Sequence, residues 1–351
     1  MNQVARFPLL APVIGEGVSL TLDQADILKP GSALSPYWSG SGGLLFADDC
    51  MNVLPRLRDA SVDTVFADPP FNLGKLYGRN TDDDLAEEKY LAWCETWLAE
   101  CIRVLKPGGA LFLYNLPKWN IPLGAFLSKH LTFRHWIAIE HKSSLPIDGR
   151  LYPAHYSLLY YSKGKPKTFS RIRTPILTCR HCNGEIRDYG GHRHAMNPNG
   201  VNLMDVWTDI PPVRHGKFKS AKRPANALST KILDRVVEMT TAPGEIVLDP
   251  FGGSGTTFAV ASDKGRRWIG IEIDFADVIV ERLTEGAIMP HKNSDFVEER
   301  LSGAVKGSDR LRRGRAGDPE AGAGSDLRGV AADPLSGPDR SAPGKKRQRR
   351  G

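Results

Sequence analysis

The stretch from Ile246 to Thr284 leaves this chain few folds to choose from. Ile246-Val247-Leu248 reads as a short buried strand, Asp249 to Gly255 as a glycine-rich loop and Thr256 to Lys264 as a helix; Trp268 to Ile273 and Asp274 to Thr284 repeat the strand and helix. Strands separated by one short helix run parallel, because a parallel neighbour is reached only through a crossover, and the helix then covers a face of the sheet. Upstream, Leu44 to Ala47, Thr64 to Ala67, Ala110 to Tyr114, His135 to Glu140 and Tyr156 to Tyr161 also have strand character. A helix from Leu85 to Leu105 is marked by Tyr90, Cys94, Trp97, Cys101 and Leu105 at helical spacing, and Lys106-Pro107-Gly108-Gly109 stops it. Shorter helical patterns run through Met51, Leu54 and Leu57 and from Asn226 to Thr241. The expected architecture is an α/β, Rossmann-like sheet with helices on both faces.

In such sheets ligands sit beyond the carboxyl ends of the strands. One of those ends carries Asp68-Pro69-Pro70-Phe71. Each proline fixes its own φ and pushes the residue before it away from helix, so the corner is stiff before anything binds. Prolines also lack N–H groups, which leaves a carboxylate and a nearby carbonyl as two fixed acceptors. Two acceptors suit an NH2 group, and Phe71 offers a flat apolar face for a planar heterocycle. An amine conjugated into a ring is a poor nucleophile, and holding both of its protons draws the nitrogen lone pair out of the ring. A plain surface turn accounts equally well for the tetrapeptide taken alone.

A second strand end carries Asp249-Pro250-Phe251-Gly252-Gly253-Ser254-Gly255-Thr256-Thr257. Glycines between a strand and a helix let the backbone turn tightly and let a ligand approach the helix N-terminus. A nucleoside triphosphate is disfavoured, because no lysine precedes the Ser or Thr. A dinucleotide fits less well, because Phe258 stands where a third glycine belongs. S-adenosylmethionine has a ribose diol and an amino acid end; Glu272, after the next strand, suits the diol, and Asp249 suits an ammonium group.

Composition narrows the partners. The chain has 351 residues, 41% of them hydrophobic, and a formal net charge of +7. The charge is concentrated: 15 Lys or Arg against 5 Asp or Glu between His141 and Ala225, and 13 against 6 from Arg300 onward, which leaves the remainder acidic. Basic residues gathered in one segment are the footprint of a polyanion partner. From Ser302 the composition is too poor in apolar residues to fold, so a disordered basic tail is expected. Neither a long apolar run nor a signal-peptide pattern is present, which points to a cytoplasmic protein. The five cysteines are too scattered for a disulfide framework.

Asp68-Pro69-Pro70-Phe71, followed much later by the Asp249 to Thr257 loop, resembles the DNA amino-methyltransferases (adenine-N6 and cytosine-N4) of the permuted beta arrangement. There the catalytic half precedes the cofactor half, with target recognition between them. The resemblance implies a methyl transfer from S-adenosylmethionine to an exocyclic amine in duplex DNA, with Asp68, Pro69, Pro70 and Phe71 as the catalytic corner. It places Asp249, Phe251, Gly253, Gly255 and Thr256 in the cofactor loop, Glu272 at the ribose and Asp49 near the adenine, although Asp48 stands where glycine is more usual. Lys222 and Pro224 match a block near the methionine end, interrupted here by Arg223. Asp at position 68 leans toward adenine as the methylated base, with cytosine as the alternative. An RNA or protein methyltransferase and a catalytically idle DNA-binding protein are the rivals from other classes.

The expected organisation is an irregular lead-in at 1–43, a catalytic half at 44–140, a target-recognition segment at 141–225, a cofactor-binding half at 226–300 and the tail at 301–351. Asn197, Asn199 and Asn202 in the recognition segment are suited to reading base edges. Cys179, Cys182, His192 and His194 invite a zinc reading, but the histidines are closer together than zinc-finger spacing, and no metal is expected. Duplex DNA is the partner expected; the sequence leaves monomer and homodimer equally open.

Overall fold

The computed structural model describes residues 21–40, 42–74, 83–141, 148–149, 151–176, 199–211, 228–284 and 296–297, with a few positions between 178 and 197. The early strands are β1 (Trp38–Gly40), β2 (Gly43–Phe46) and β3 (Val62–Ala67), followed by β4 (Leu105–Asn115), β5 (Thr132–Glu140) and β6 (His155–Ser162). Three short strands come next: β7 (Ile172–Thr174), β8 (Val201–Asn202) and β9 (Val206–Trp207). The last are β10 (Ile246–Asp249), β11 (Arg267–Ile271) and β12 (Phe296–Val297). The helices are α1 (Gln24–Ile27), α2 (Cys50–Val53), α3 (Glu87–Val104), α4 (Pro117–Leu127), α5 (Thr230–Thr240), α6 (Thr256–Asp263) and α7 (Ala276–Thr284).

Nine strands form one sheet in the order β1-β2-β11-β10-β3-β4-β6-β5-β9. From β2 to β4 every pairing is parallel, so five carboxyl ends lie along one edge. All six residues of β3 and all four of β10 are buried, as expected for central strands covered on both faces. Alternation divides the core. Val65, Leu248 and Ile269 face Trp97, Leu98 and Leu123 of α3 and α4. Phe66, Val247 and Trp268 face Val236, Phe258 and Ile279 of α5, α6 and α7. The expected α/β architecture is therefore the one observed.

Two local expectations need correction. The lead-in is not wholly irregular: Asp23 caps α1, and Trp38 of β1 stacks on Trp268 with ring centres 5.7 Å apart, which fixes an antiparallel edge strand on β2. Lys106-Pro107-Gly108-Gly109 does not separate helix from strand. β4 begins at Leu105, and the slack is absorbed as a register shift, Val62 pairing with Leu105 and Thr64 already with Ala110. Gly108 there has φ 78° and donates to the Lys163 carbonyl. The strand expected at Tyr156 to Tyr161 is β6, and it lies between β4 and β5, so the sheet draws β6 as well as β9 from the 141–225 segment. Near the end of that segment Asp209 is gripped at both oxygens by the fully buried Arg235 of α5, which lies over the Trp207 ring. The tail from 301 lies outside the described residues. Among those described, no helix is long and apolar enough to cross a membrane.

Candidate active site

From β10 the chain passes through α6 to β11 on one side, and from β3 through α3 to β4 on the other. The crevice between β3 and β10 is thus the point where the winding reverses, the place where this architecture holds ligands. Leu248 pairs with Val65, so Asp249 and Asp68 leave the sheet side by side although they are far apart in the chain.

Asp68 is half-buried, and among the described residues no group donates to its carboxylate or to the Pro69 carbonyl. Burial, and then the nearby Asp249, hold the Asp68 carboxyl well above the usual carboxylate range. The next two carbonyls are taken: Tyr90 donates its hydroxyl to the Pro70 oxygen at 2.7 Å, and the Trp119 indole donates to the Phe71 oxygen at 2.7 Å. Asn115, at the end of β4, donates in turn to the Tyr90 hydroxyl. The corner therefore presents one carboxylate and one carbonyl. The Phe71 ring lies 6.0 Å from Tyr114 and 5.7 Å from Tyr156, with tilted planes. His141 meets Tyr156 edge-on at 5.0 Å. Burial first, and then Asp68, push the Tyr114 and Tyr156 hydroxyls up, so both are neutral donors at neutral pH.

The glycine loop does what its sequence suggests. Gly253 and Gly255 adopt φ of 51° and 76°, and Gly255 occupies the cap position of α6. A Cβ on Gly255 would come within 3.1 Å of Ile279. Phe251 packs edge-on against Trp97 at 4.9 Å, which couples this loop to α3. Asp249 is 2% exposed, accepting from the Phe251 amide at 2.9 Å and the Thr257 hydroxyl at 2.5 Å. Burial raises its carboxyl to about 7, with the Glu272 charge adding to the effect and those two donors opposing it.

Glu272 ties the loop to the next element: one oxygen accepts from Gly253 at 2.6 Å, the other from Asp274 and Phe275. A carboxylate oxygen has room for about two donors, so the Gly253-bonded oxygen retains a lone pair for a hydroxyl. Asp49 caps α2 through the Met51 amide at 2.9 Å, and Asp48 accepts from Asn52. The Thr256 hydroxyl, 4% exposed, accepts from Arg282 of α7, which also donates to the Ser254 carbonyl. Lys222 and Pro224 lie outside the described residues.

The structure thus gathers Asp49, Asp68 to Phe71, Asp249 to Thr256 and Glu272 along one edge of the sheet. It adds Tyr90, Tyr114, Trp119, Tyr156 and Arg282, which sequence reasoning passed over. Tyr114 was within reach of it, as the penultimate residue of a strand ending at the ligand edge. Tyr156 was not, because only the antiparallel pairing of β6 with β4 brings it there. Among the described residues, which include Cys179, Cys182, His192 and His194, no three His, Cys, Asp or Glu side chains gather as a metal site requires.

Fold and site together define an open, doubly wound α/β protein whose glycine loop faces an Asp-Pro-Pro-Phe corner across the switch point. A family model described as DNA methylase, covering N6 and N4 enzymes, matches residues 62–278, and the chain belongs to this family of DNA amino-methyltransferases. It is 54% identical over 251 residues to the type II methyltransferase M.BamHI of Bacillus amyloliquefaciens, a match covering 71% of this chain and 59% of that protein. M.HpaI of Haemophilus parainfluenzae is 31% identical over 73% of this chain and 78% of its own length. The DNA adenine methyltransferase YhdJ of Escherichia coli (strain K12) is 29% identical over 75% of this chain and 90% of its own length. In fold, the chain is similar to the PvuII DNA methyltransferase, described as cytosine-N4-specific, with a TM-score of 0.51, 18% identity, and 75% and 92% of the two chains covered.

Proposed function

We propose that this protein methylates an exocyclic base amine in duplex DNA with S-adenosylmethionine, the family's methyl donor. The observation that carries the reading is the β3–β10 pairing, which sets the two acceptors of the Asp68 corner beside the glycine loop. The cofactor supplies a methyl made electrophilic by its sulfonium. The chain's own residues supply the rest. Gly253 and Gly255 leave room for a close ligand at the N-terminus of α6, Glu272 would offer a lone pair to a ribose hydroxyl, and Asp49, at the end of β2, would meet the adenine, as the resemblance implies.

Asp68 and the Pro69 carbonyl accept from the two amine protons, which localises the nitrogen lone pair toward the methyl. Phe71 supports the ring. As the amine nitrogen takes the methyl and the broken S–C bond leaves its electron pair on the donor's sulfur, one amine proton would leave along the hydrogen bond to the ionised Asp68 carboxylate, whose raised pKa makes it a stronger base than an ordinary one. This is catalysis by positioning and fixed acceptors. A paired base cannot reach the corner, so the nucleotide must swing out of the helix. The basic 141–225 segment is the part suited to holding the duplex.

Asp at position 68 favours adenine by resemblance, but the corner grips an NH2 and a ring face, which cytosine offers as well. The test is incubation of pure protein with duplex DNA and methyl-labelled donor, followed by nucleoside digestion and mass spectrometry. Labelled N6-methyladenine or N4-methylcytosine supports the reading and names the base. A digest with neither overturns it.

A further inference from the structure

The corner must keep two acceptors aimed at one nitrogen, and the prolines alone do not hold its downstream end, since Pro70 fixes its own φ but has no proline after it to restrict its ψ. β3 anchors the upstream side. Downstream, the chain is held by a set of hydrogen bonds that neither the glycine loop nor the amine grip requires. Asn72, immediately after Phe71, has φ 54°, one of two positive values among the described non-glycine residues. Asparagine tolerates this conformation better than most residues, yet it needs outside support.

The support comes from Asp83 and Leu85. The Asp83 side chain, in a residue only 4% exposed, accepts from the Asn72 amide at 2.6 Å and the Leu73 amide at 3.0 Å. The Asn72 carboxamide closes a two-way pair with the Leu85 backbone, donating to its carbonyl and accepting from its amide, both at 2.7 Å. The Gly74 amide donates to the Asp83 carbonyl at 2.8 Å. Burying a carboxylate is costly unless donors meet it, and here both oxygens are spent on the two amides that follow the aromatic ring.

We propose that Asn72 and Asp83 are positioning residues for methyl transfer: their clasp, acting through the backbone, sets the direction of the Phe71 ring and of the Pro69 carbonyl. The inference rests on the reading above, and it assigns the clasp to the chemical step and not to cofactor capture, because its hydrogen bonds close on the residues directly after Phe71 and none of them is made to the loop after β10.

Two variants separate this from a merely structural role. Asn72→Gly keeps the positive φ without strain but loses the carboxamide pair. Asp83→Asn keeps the shape but turns one donor-accepting oxygen into an NH2. Each should lower kcat by about 10- to 100-fold, the scale of a small misplacement of reacting groups. Cofactor and DNA dissociation constants should stay within about twofold, assays being run well below each variant's Tm. Asn72→Asp, which can still accept from the Leu85 amide, should fall between parent and Asn72→Gly. Unchanged kcat in both Asn72→Gly and Asp83→Asn, or a loss confined to ligand affinity, overturns the clasp while leaving the methyltransferase reading intact. A parent protein that marks no nucleoside defeats both.

Discussion

At the scale of single residues, the site is governed by three carboxyl groups held close together, with no ion pair to any of them among the described residues. Asp68 is pushed up by burial and then by Asp249, and Asp249 by burial and then by Glu272, so a cation placed there would favour the ionised forms that burial opposes. For Asp249 the sign is definite. Folding raises its pKa from 3.8 to about 7, so this group favours the folded free protein at acid pH, and that advantage is lost as pH rises through 7. Binding of a cationic donor runs the other way, because the ionised form attracts it. Calorimetry should find the cofactor bound roughly tenfold more tightly at pH 8 than at pH 6, as linkage to one proton requires, and Asp249→Asn should flatten that dependence. Asp68→Ala should abolish transfer while leaving cofactor affinity within about twofold, checked by initial rates and titration on the same preparation. Asp68 and Asp249 were both legible in the sequence as acceptors at strand ends. Their mutual effect was not, because it depends on two strands distant in the chain becoming neighbours.

At the scale of elements, the strand–glycine–helix unit was readable because each of its steps is local: apolar run, turn residues, helical spacing. The departures occurred where tertiary contacts overrule local signals. Pro107-Gly108-Gly109 is a breaker by composition, yet it is carried inside β4 as an irregularity, because β3 pairs on both sides of it and Gly108, at φ 78°, donates to the Lys163 carbonyl. Trp38 has no periodic neighbours to mark a strand; β1 is held by its pairing with β2 and by the Trp268 face on which Trp38 stacks. That packing has a measurable consequence at Gly43. A Cβ there would lie about 2.0 Å from the Trp268 ring, and Trp268 is pinned on its other side by Phe258 with ring centres 4.6 Å apart. Gly43→Ala should therefore cost about 1–3 kcal/mol of stability in denaturant unfolding, as overpacking of a filled core does. The same scale applies to the loop. Gly255→Ala forces a side chain into φ 76° against Ile279 and should weaken cofactor binding more than it lowers Tm.

For the whole molecule, the decisive property is the partition of charge. An acidic body carries both halves of the site, while the surplus of Lys and Arg lies between His141 and Ala225 and again from Arg300 onward. The first surplus lies in the segment between the two halves, where it can fix the duplex relative to the Asp68 corner. The second lies at the end of the chain, far in sequence from any residue of the site. If the second surplus acts only by neutralising phosphates, its contribution is sequence-independent and falls with salt, since each phosphate contact adds about 0.9 to the slope of log affinity against log salt. Removing residues 301–351 should then make that slope shallower and weaken binding to random and cognate duplexes by the same factor. Saturating kcat and the methylated position should be unchanged, because no group of the corner or the glycine loop is lost. Neutralising Lys163 or Arg173 within the central segment is a different experiment. Lys163 donates to the Ile102 and Leu105 carbonyls and Arg173 to the Gly200 carbonyl, so those changes should show first as lost stability and only secondarily in the salt slope. Filter binding at several salt concentrations, set beside Tm for each variant, separates the two kinds of basic residue. A truncated chain with an undiminished salt slope would show that the terminal charge has no part in holding DNA.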